Sequence, residues 1–322
     1  MKLGVFTVLF SDQSFEQMLD TVKEAGLHAV EIGTGCYPGN AHCNLDVLLE
    51  SEEKRKEYLQ KVQNRDLTIS AFSCHGNPIS PEESFAKESH ETLLKTIKLA
   101  SLLDVPVVNC FSGTAGDHEG SKFPNWPVTP WPNEYGDVLK WQWEEKLIPY
   151  WKEVGQYAEE HNVKIGLELH GGFLVHTPYT LLKLREETCE AIGANLDPSH
   201  LWWQGIDPVA AIKILAKENA IHHFHAKDTY IDQENVNMYG LTDMQQYGDV
   251  QTRAWSFRSV GCGHSLKEWS DMISALRTYG YDYVVSIEHE DPIISIEEGF
   301  KRAVTNLHSV LIEELPSQMW WV

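Results

Sequence analysis

The chain has 322 residues and a formal net charge of −21, and 42% of its residues are hydrophobic. The length is ample for one large buried core, and no apolar run reaches the 18 or more residues of a membrane span. Such an acidic chain lacks the basic face that nucleic acid demands, so composition alone describes an acidic cytoplasmic protein with no nucleic-acid or membrane partner. The N-terminal MKLGVFTVLFSDQSF lacks a small-residue cleavage site and reads as a first strand, not as a signal peptide. The six cysteines, at 36, 43, 74, 110, 189 and 262, are scattered with no C-x-x-C pair, which argues for reduced packing residues rather than a disulfide framework or a structural zinc.

In chain order, strand-like runs occur at 3–10, 28–33, 68–74, 106–111, 163–170, 192–197, 220–226 and 282–288. Amphipathic stretches lie between them. SFEQMLDTVKEAG places Phe15, Met18, Leu19 and Val22 on one stripe and stops at Gly26. SLKEWSDMISALRTYG has Ser265 as N-cap and Gly280 as stop, and SIEEGFKRAVTNLHSVLIEEL follows the last strand. Eight alternations of strand and helix predict a single (β/α)8 barrel domain over 1–322. An open doubly wound sheet is the alternative, but no Gly-rich loop for a nucleotide cofactor follows the first strand. Three long loops, 34–45, 112–140 and 227–264, each follow a strand, which places them on the face where such barrels carry their sites. In the second, Trp126 and Trp131 either stack on a ring-shaped substrate or pack the loop onto the rim.

The last four strands end in ionisable residues. The fifth finishes in KIGLELHGG, with Glu168 and His170 two apart and so on one face of a strand. The sixth ends in LDPSH, with Asp197 and His200, the seventh in HFHAKD, with His225, and the eighth in SIEHED, with Glu288. Three carboxylates converging on one barrel mouth repel unless a cation neutralises them. A divalent metal held by Glu168, Asp197, His225 and Glu288 answers that, and this oxygen-rich set suits Mn²⁺ or Mg²⁺, with Co²⁺ or Zn²⁺ as alternatives.

These motifs, together with RSVGCG at 258–263, resemble the xylose-isomerase-like TIM barrels, the superfamily of sugar phosphate isomerases/epimerases, over essentially the whole chain. The resemblance implies one metal on the Glu168, Asp197, His225, Glu288 set and an arginine, Arg258, reaching the site. His75 in SCHGNP and His200 resemble positions that either touch substrate or orient the ligands by hydrogen bonds. Endonuclease IV shares the superfamily, but its additional histidines have no counterpart after strand four or after His225. In related 3-epimerases the ligand glutamates, here Glu168 and Glu288, double as acid and base. His170 offers a separate base, or else a hydrogen bond to a ligand.

A metal beside a base suits removal of a proton next to a carbonyl. The Trp/Pro-rich loop, the Glu-x-His pair and SIEHEDP most resemble the catalytic large subunit of C-glycoside deglycosidases, which implies a lyase on 3-oxo-glycosides and a small partner subunit. An isomerase or epimerase of a free ketose or keto-inositol, and a non-catalytic sugar- or metal-binding barrel, stay open. The C-terminal QMWWV is either a subunit contact or packing of the last helix.

Overall fold

The computed structural model describes residues 1–315 and 317–322. Its ten strands, in chain order, are β1 (Lys2–Phe6), β2 (Ala29–Gly33), β3 (Thr68–Ser73), β4 (Val107–Cys110), β5 (Lys164–Glu168), β6 (Ile192–Leu196), β7 (Ile221–Ala226), β8 (Asp228–Ile231), β9 (Trp255–Arg258) and β10 (Val284–Ile287). Eight of them, β1–β7 and β10, are parallel and close into a (β/α)8 barrel. Closure runs through β1 and β10, with Leu3 opposite Val285 and Val5 opposite Ile287. β1, β2 and β10 are buried along nearly their whole length, so they read as mostly apolar runs rather than strict alternations.

The helices form where the periodicity and caps dictate. Phe15–Glu24 starts at Ser14, whose hydroxyl accepts from the Gln17 amide while the Gln17 side chain accepts from the Ser14 amide. It buries Met18, Leu19 and Val22. Phe15, at its first turn, stays half-buried and stacks on Tyr58 at 4.4 Å. Leu266–Thr278 uses the same reciprocal cap between Ser265 and Glu268. Both runs end at glycines with positive φ, 78° at Gly26 and 93° at Gly280, a conformation that costs other residues strain. No described helix is long and apolar enough to cross a membrane.

Three elements differ from the sequence reading, each for a local reason. The first strand stops at Phe6, and Thr7–Phe10 forms a 3-10 turn in which the Thr7 hydroxyl donates to the Glu31 carbonyl. The fifth strand stops at Glu168, because the His170 amide turns back onto the Glu168 carbonyl at 2.8 Å. Gly171 follows, and a Cβ there would lie 2.1 Å from the Trp203 ring. The loop 227–264 is not irregular: β8 and β9 pair antiparallel, and a helix, Gln233–Tyr239, lies between them. At the C-terminus Met319, Trp320 and Trp321 are exposed, so they do not pack the last helix.

Candidate active site

The mouth of the barrel is built from the ends of its strands. Glu168 is the last residue of β5, His225 lies on β7, and Glu288 directly follows β10. Asp197 follows β6 and caps the helix Pro198–Trp203, accepting from the Ser199 amide at 2.8 Å. Glu168, His225 and Glu288 each offer an atom within 4.8 Å of the others'. His225 Nδ1 is 3.0 Å from Glu288 Oε2 and 3.6 Å from Glu168 Oε2. Asp197 joins this group through His200, whose Nε2 is 3.4 Å from Asp197 Oδ2 and 2.9 Å from Glu168 Oε1. His75 Nε2 approaches Glu168 Oε2 at 3.0 Å.

These contacts are short but not directed. His75 Nε2, Asp197 Oδ2, both ring nitrogens of His200, and His225 Nδ1 are buried without a hydrogen-bond partner. Buried polar atoms are normally satisfied, so the orphaned atoms of Asp197 and His225, next to a Glu168, His225 and Glu288 group that offers ligand atoms within 4.8 Å of one another, fit a cation-binding set. The electrostatics agree. Burial pushes the Asp197 carboxyl up to about 7 against the pull of Lys227, with Glu288 and Glu168 adding repulsion. Burial would raise Glu288 as well, yet Lys227 and His225 bring it down to about 2.

Two buried charges at the site escaped the sequence reading. Glu31, in the middle of β2, accepts from Ser73 Oγ at 2.5 Å, Asn109 Nδ2 at 2.9 Å and Ser286 Oγ at 2.7 Å. Its two oxygens each lie 2.9 Å from His225 Nε2. A carboxylate there keeps the proton on Nε2 and leaves Nδ1 free to face Glu168 and Glu288. The signal was available: a glutamate inside the apolar run AVEIG has to be paired. The second charge is Lys227, whose Nζ sits 2.8 Å from Glu288 Oε2 and 2.9 Å from Glu290 Oε2.

His170 lies beyond the strand rather than on it, yet the tight turn brings it to Glu168 and His200, with ligand-capable atoms of all three within 4.8 Å. Its ring centroid is 4.0 Å from that of His200. Nδ1 lies 2.5 Å from the Gly171 carbonyl, an acceptor, so Nδ1 carries the hydrogen and Nε2 keeps a free lone pair. Burial lowers the pKa of this imidazole from its usual value and so favours the neutral, basic form, although the charge of Glu168 opposes the shift.

His170 lines a cavity of about 510 Å³ together with Tyr37, Phe111, Phe173, Tyr247, Phe257 and Glu290. Phe111 and Phe173 stack at 4.1 Å. Trp126 and Trp131 do not form its walls. Trp126 meets His176 edge-on at 5.2 Å and packs against the cluster of Trp203, Ala254, Trp255 and Phe257, while Trp131 is 74% exposed. Gln142 explains the difference: its side-chain amide donates to the Ala115, Gly116 and Asn125 carbonyls and clasps the loop to the rim. Arg258 is held by Asp291, with Nε 3.1 Å from Oδ2. The turn after it wraps Asp228, which accepts from the Gly261, Gly263 and His264 amides and from the Trp269 indole.

A curated relative, the uncharacterized protein YfiH of Bacillus subtilis, is 39% identical over 314 residues, 97% of this chain and 99% of that one. Among solved structures, the probable 3-DHS dehydratase AsbF of Bacillus anthracis superposes with a TM-score of 0.64 at 21% identity, covering 96% of this chain and 99% of that chain. The 3-keto-D-glucoside 4-epimerase YcjR of E. coli also gives 0.64, at 11% identity, over 96% of this chain and 99% of that chain. The family described as Xylose isomerase-like TIM barrel matches residues 19–309, and the chain belongs to it.

Proposed function

We propose that this protein is a divalent-metal-dependent enzyme that takes a proton from the carbon next to the carbonyl of a keto-sugar, and that its reaction is β-elimination from a 3-oxo-glycoside. The observation that carries the reading is the free Nε2 of His170, which stands beside the Glu168 cluster in the wall of an aromatic cavity. A divalent ion, Mn²⁺ or Mg²⁺ by ligand type, would be held by Glu168, Asp197, His225 and Glu288 and would polarise the substrate carbonyl. His170 Nε2 takes the proton on C2, and the C2–H electron pair forms an enediolate with C3. As the C3 carbonyl re-forms, that pair makes the C1–C2 double bond and the bond from C1 to the aglycone breaks. The aglycone leaves with the electron pair of its broken bond to C1 and picks up a proton. Phe111, Phe173 and Phe257 present flat apolar faces to such a group. A small partner subunit belongs to this proposal.

An epimerase is the second reading, favoured by Glu290, which lines the same cavity and can return a proton to the substrate. The likeness to a 3-keto-D-glucoside 4-epimerase points the same way. A purely sugar-binding barrel gives the unbonded Nε2 of His170 no task. Incubating Mn²⁺-loaded protein in D₂O with an aryl 3-oxo-glucoside and with the free 3-oxo-sugar separates the outcomes. Release of the phenol supports the lyase. A deuterated epimer without release supports the epimerase, and absence of both exchange and release would remove the enzymatic reading.

A further inference from the structure

Lys227 is one of the largest fully buried side chains of the described residues, and it stands one residue beyond β7. Its ammonium meets three carboxylates at once. Nζ donates to Glu288 at 2.8 Å and to Glu290 at 2.9 Å, and lies 3.1 Å from Asp197 Oδ2. The contact with Asp197 is ionic rather than a directed hydrogen bond, since Oδ2 has no hydrogen-bond partner. Two of the three carboxylates belong to the proposed metal set. The third, Glu290, sits in the cavity wall with its side chain half exposed. Phe257 supports the ammonium from below, with Nζ 4.6 Å from the ring centroid.

An ammonium and a divalent ion cannot both sit at hydrogen-bonding distance from the same oxygens of Asp197 and Glu288, because like charges that close repel strongly in a buried setting. We propose that Lys227 is a displaceable internal cation: it holds Asp197 and Glu288 together when no metal is bound, and retreats onto Glu290 when a divalent ion takes them. The inference rests on the metal reading of the site given above. It has two consequences. The site is preformed without metal, at the expense of affinity, so the bound ion exchanges readily. The displaced ammonium, already 2.9 Å from Glu290 in the cavity wall, also shifts further toward the cavity that His170 lines, so the metal-loaded pocket is more cationic at that wall.

The test is calorimetric titration of MnCl₂ into chelator-treated wild type, Lys227→Met and Glu290→Gln, with melting curves before and after loading. Losing the competitor should make Lys227→Met bind Mn²⁺ about tenfold tighter or more. The same variant should melt lower than wild type without metal and gain more on loading. Removing the retreat position should make Glu290→Gln bind several-fold more weakly, and a structure of loaded wild type should place Nζ on Glu290 and away from Asp197. The opposite signs matter, because a merely structural role would weaken binding in both variants. Should Lys227→Met fail to fold, the position of Nζ in the loaded wild-type structure carries the test, and an ammonium still on Asp197 there overturns the inference. Wild type that binds Mn²⁺ with the variants unchanged, or weakened alike, overturns this inference alone. Failure of folded wild type and variants to bind any divalent ion overturns the metal reading and this inference with it.

Discussion

Glu31→Gln separates the role of the barrel interior from that of the ligands. The wild-type carboxylate takes hydrogen bonds from Ser73, Asn109, Ser286 and His225 Nε2. A glutamine keeps the volume but turns one acceptor oxygen into an NH₂ group. Either a buried donor then faces another donor, or the amide points at His225 and reverses its tautomer, placing the hydrogen on Nδ1. The first outcome leaves one buried group unsatisfied, a loss of about 1–3 kcal/mol in stability. The second removes the lone pair that faces Glu168 and Glu288, and changes of this kind beside a metal ligand cost about 10–100-fold in affinity, or roughly 1.4–2.8 kcal/mol. Calorimetric titration with Mn²⁺ and a melting curve read the two effects separately. Wild-type metal affinity together with a wild-type melting temperature in Glu31→Gln would refute the argument that Glu31 sets the tautomer of His225.

Three further outcomes follow from the geometry. Phe173→Ala opens the stacked pair in the cavity wall, so KM for aryl 3-oxo-glycosides should rise by about tenfold, while the free 3-oxo-sugar is turned over as before; equal effects on both would mean the pair only packs the loop. Trp131→Ala, at a position 74% exposed, should leave KM for both substrates within about twofold of wild type, consistent with a surface change worth under 0.5 kcal/mol, and selective loss of bulky substrates would return that tryptophan to the site. Asp228→Asn breaks the clasp on the 259–264 turn and should destabilise the protein by about 3 kcal/mol, read as a lower melting temperature and faster cleavage in that turn by added protease. A melting temperature equal to that of wild type would show that the clasp does not hold the turn.

The fold was legible because it depends on repetition. Eight short, buried strands alternate with helices, and Ser14, Gly26, Ser265 and Gly280 mark helix ends by local chemistry alone. The convergence of Glu168, Asp197, His225 and Glu288 follows from the barrel itself, which brings the ends of neighbouring parallel strands together. What the sequence hid depends on contacts between distant segments. Glu31 and His225 are 194 residues apart, and neither strand alone says that they touch. Lys227 reads as a solvated residue next to an aspartate until β10 places Glu288 and Glu290 over it. Whether Trp126 and Trp131 stack on substrate or pack the loop could not be decided from the sequence, because loop composition reveals an apolar surface but not which side faces the cavity. Gln142 decides that by pinning the loop from 17 to 27 residues away.

The central claim is that His170 moves the proton, and His170→Asn tests it most directly. Asparagine can still donate to the Gly171 carbonyl as Nδ1 does now, but it offers no basic nitrogen in place of Nε2. Wild type and variant, loaded with Mn²⁺ and checked for metal content and melting temperature, are incubated with a 3-oxo-glycoside in D₂O, and deuterium at C2 is followed by NMR in parallel with turnover. The account predicts that the variant keeps its metal and its fold while exchange and turnover fall together by about 10²–10⁴-fold, the usual contribution of a general base. Exchange at the wild-type rate in a folded, metal-loaded His170→Asn protein would contradict it.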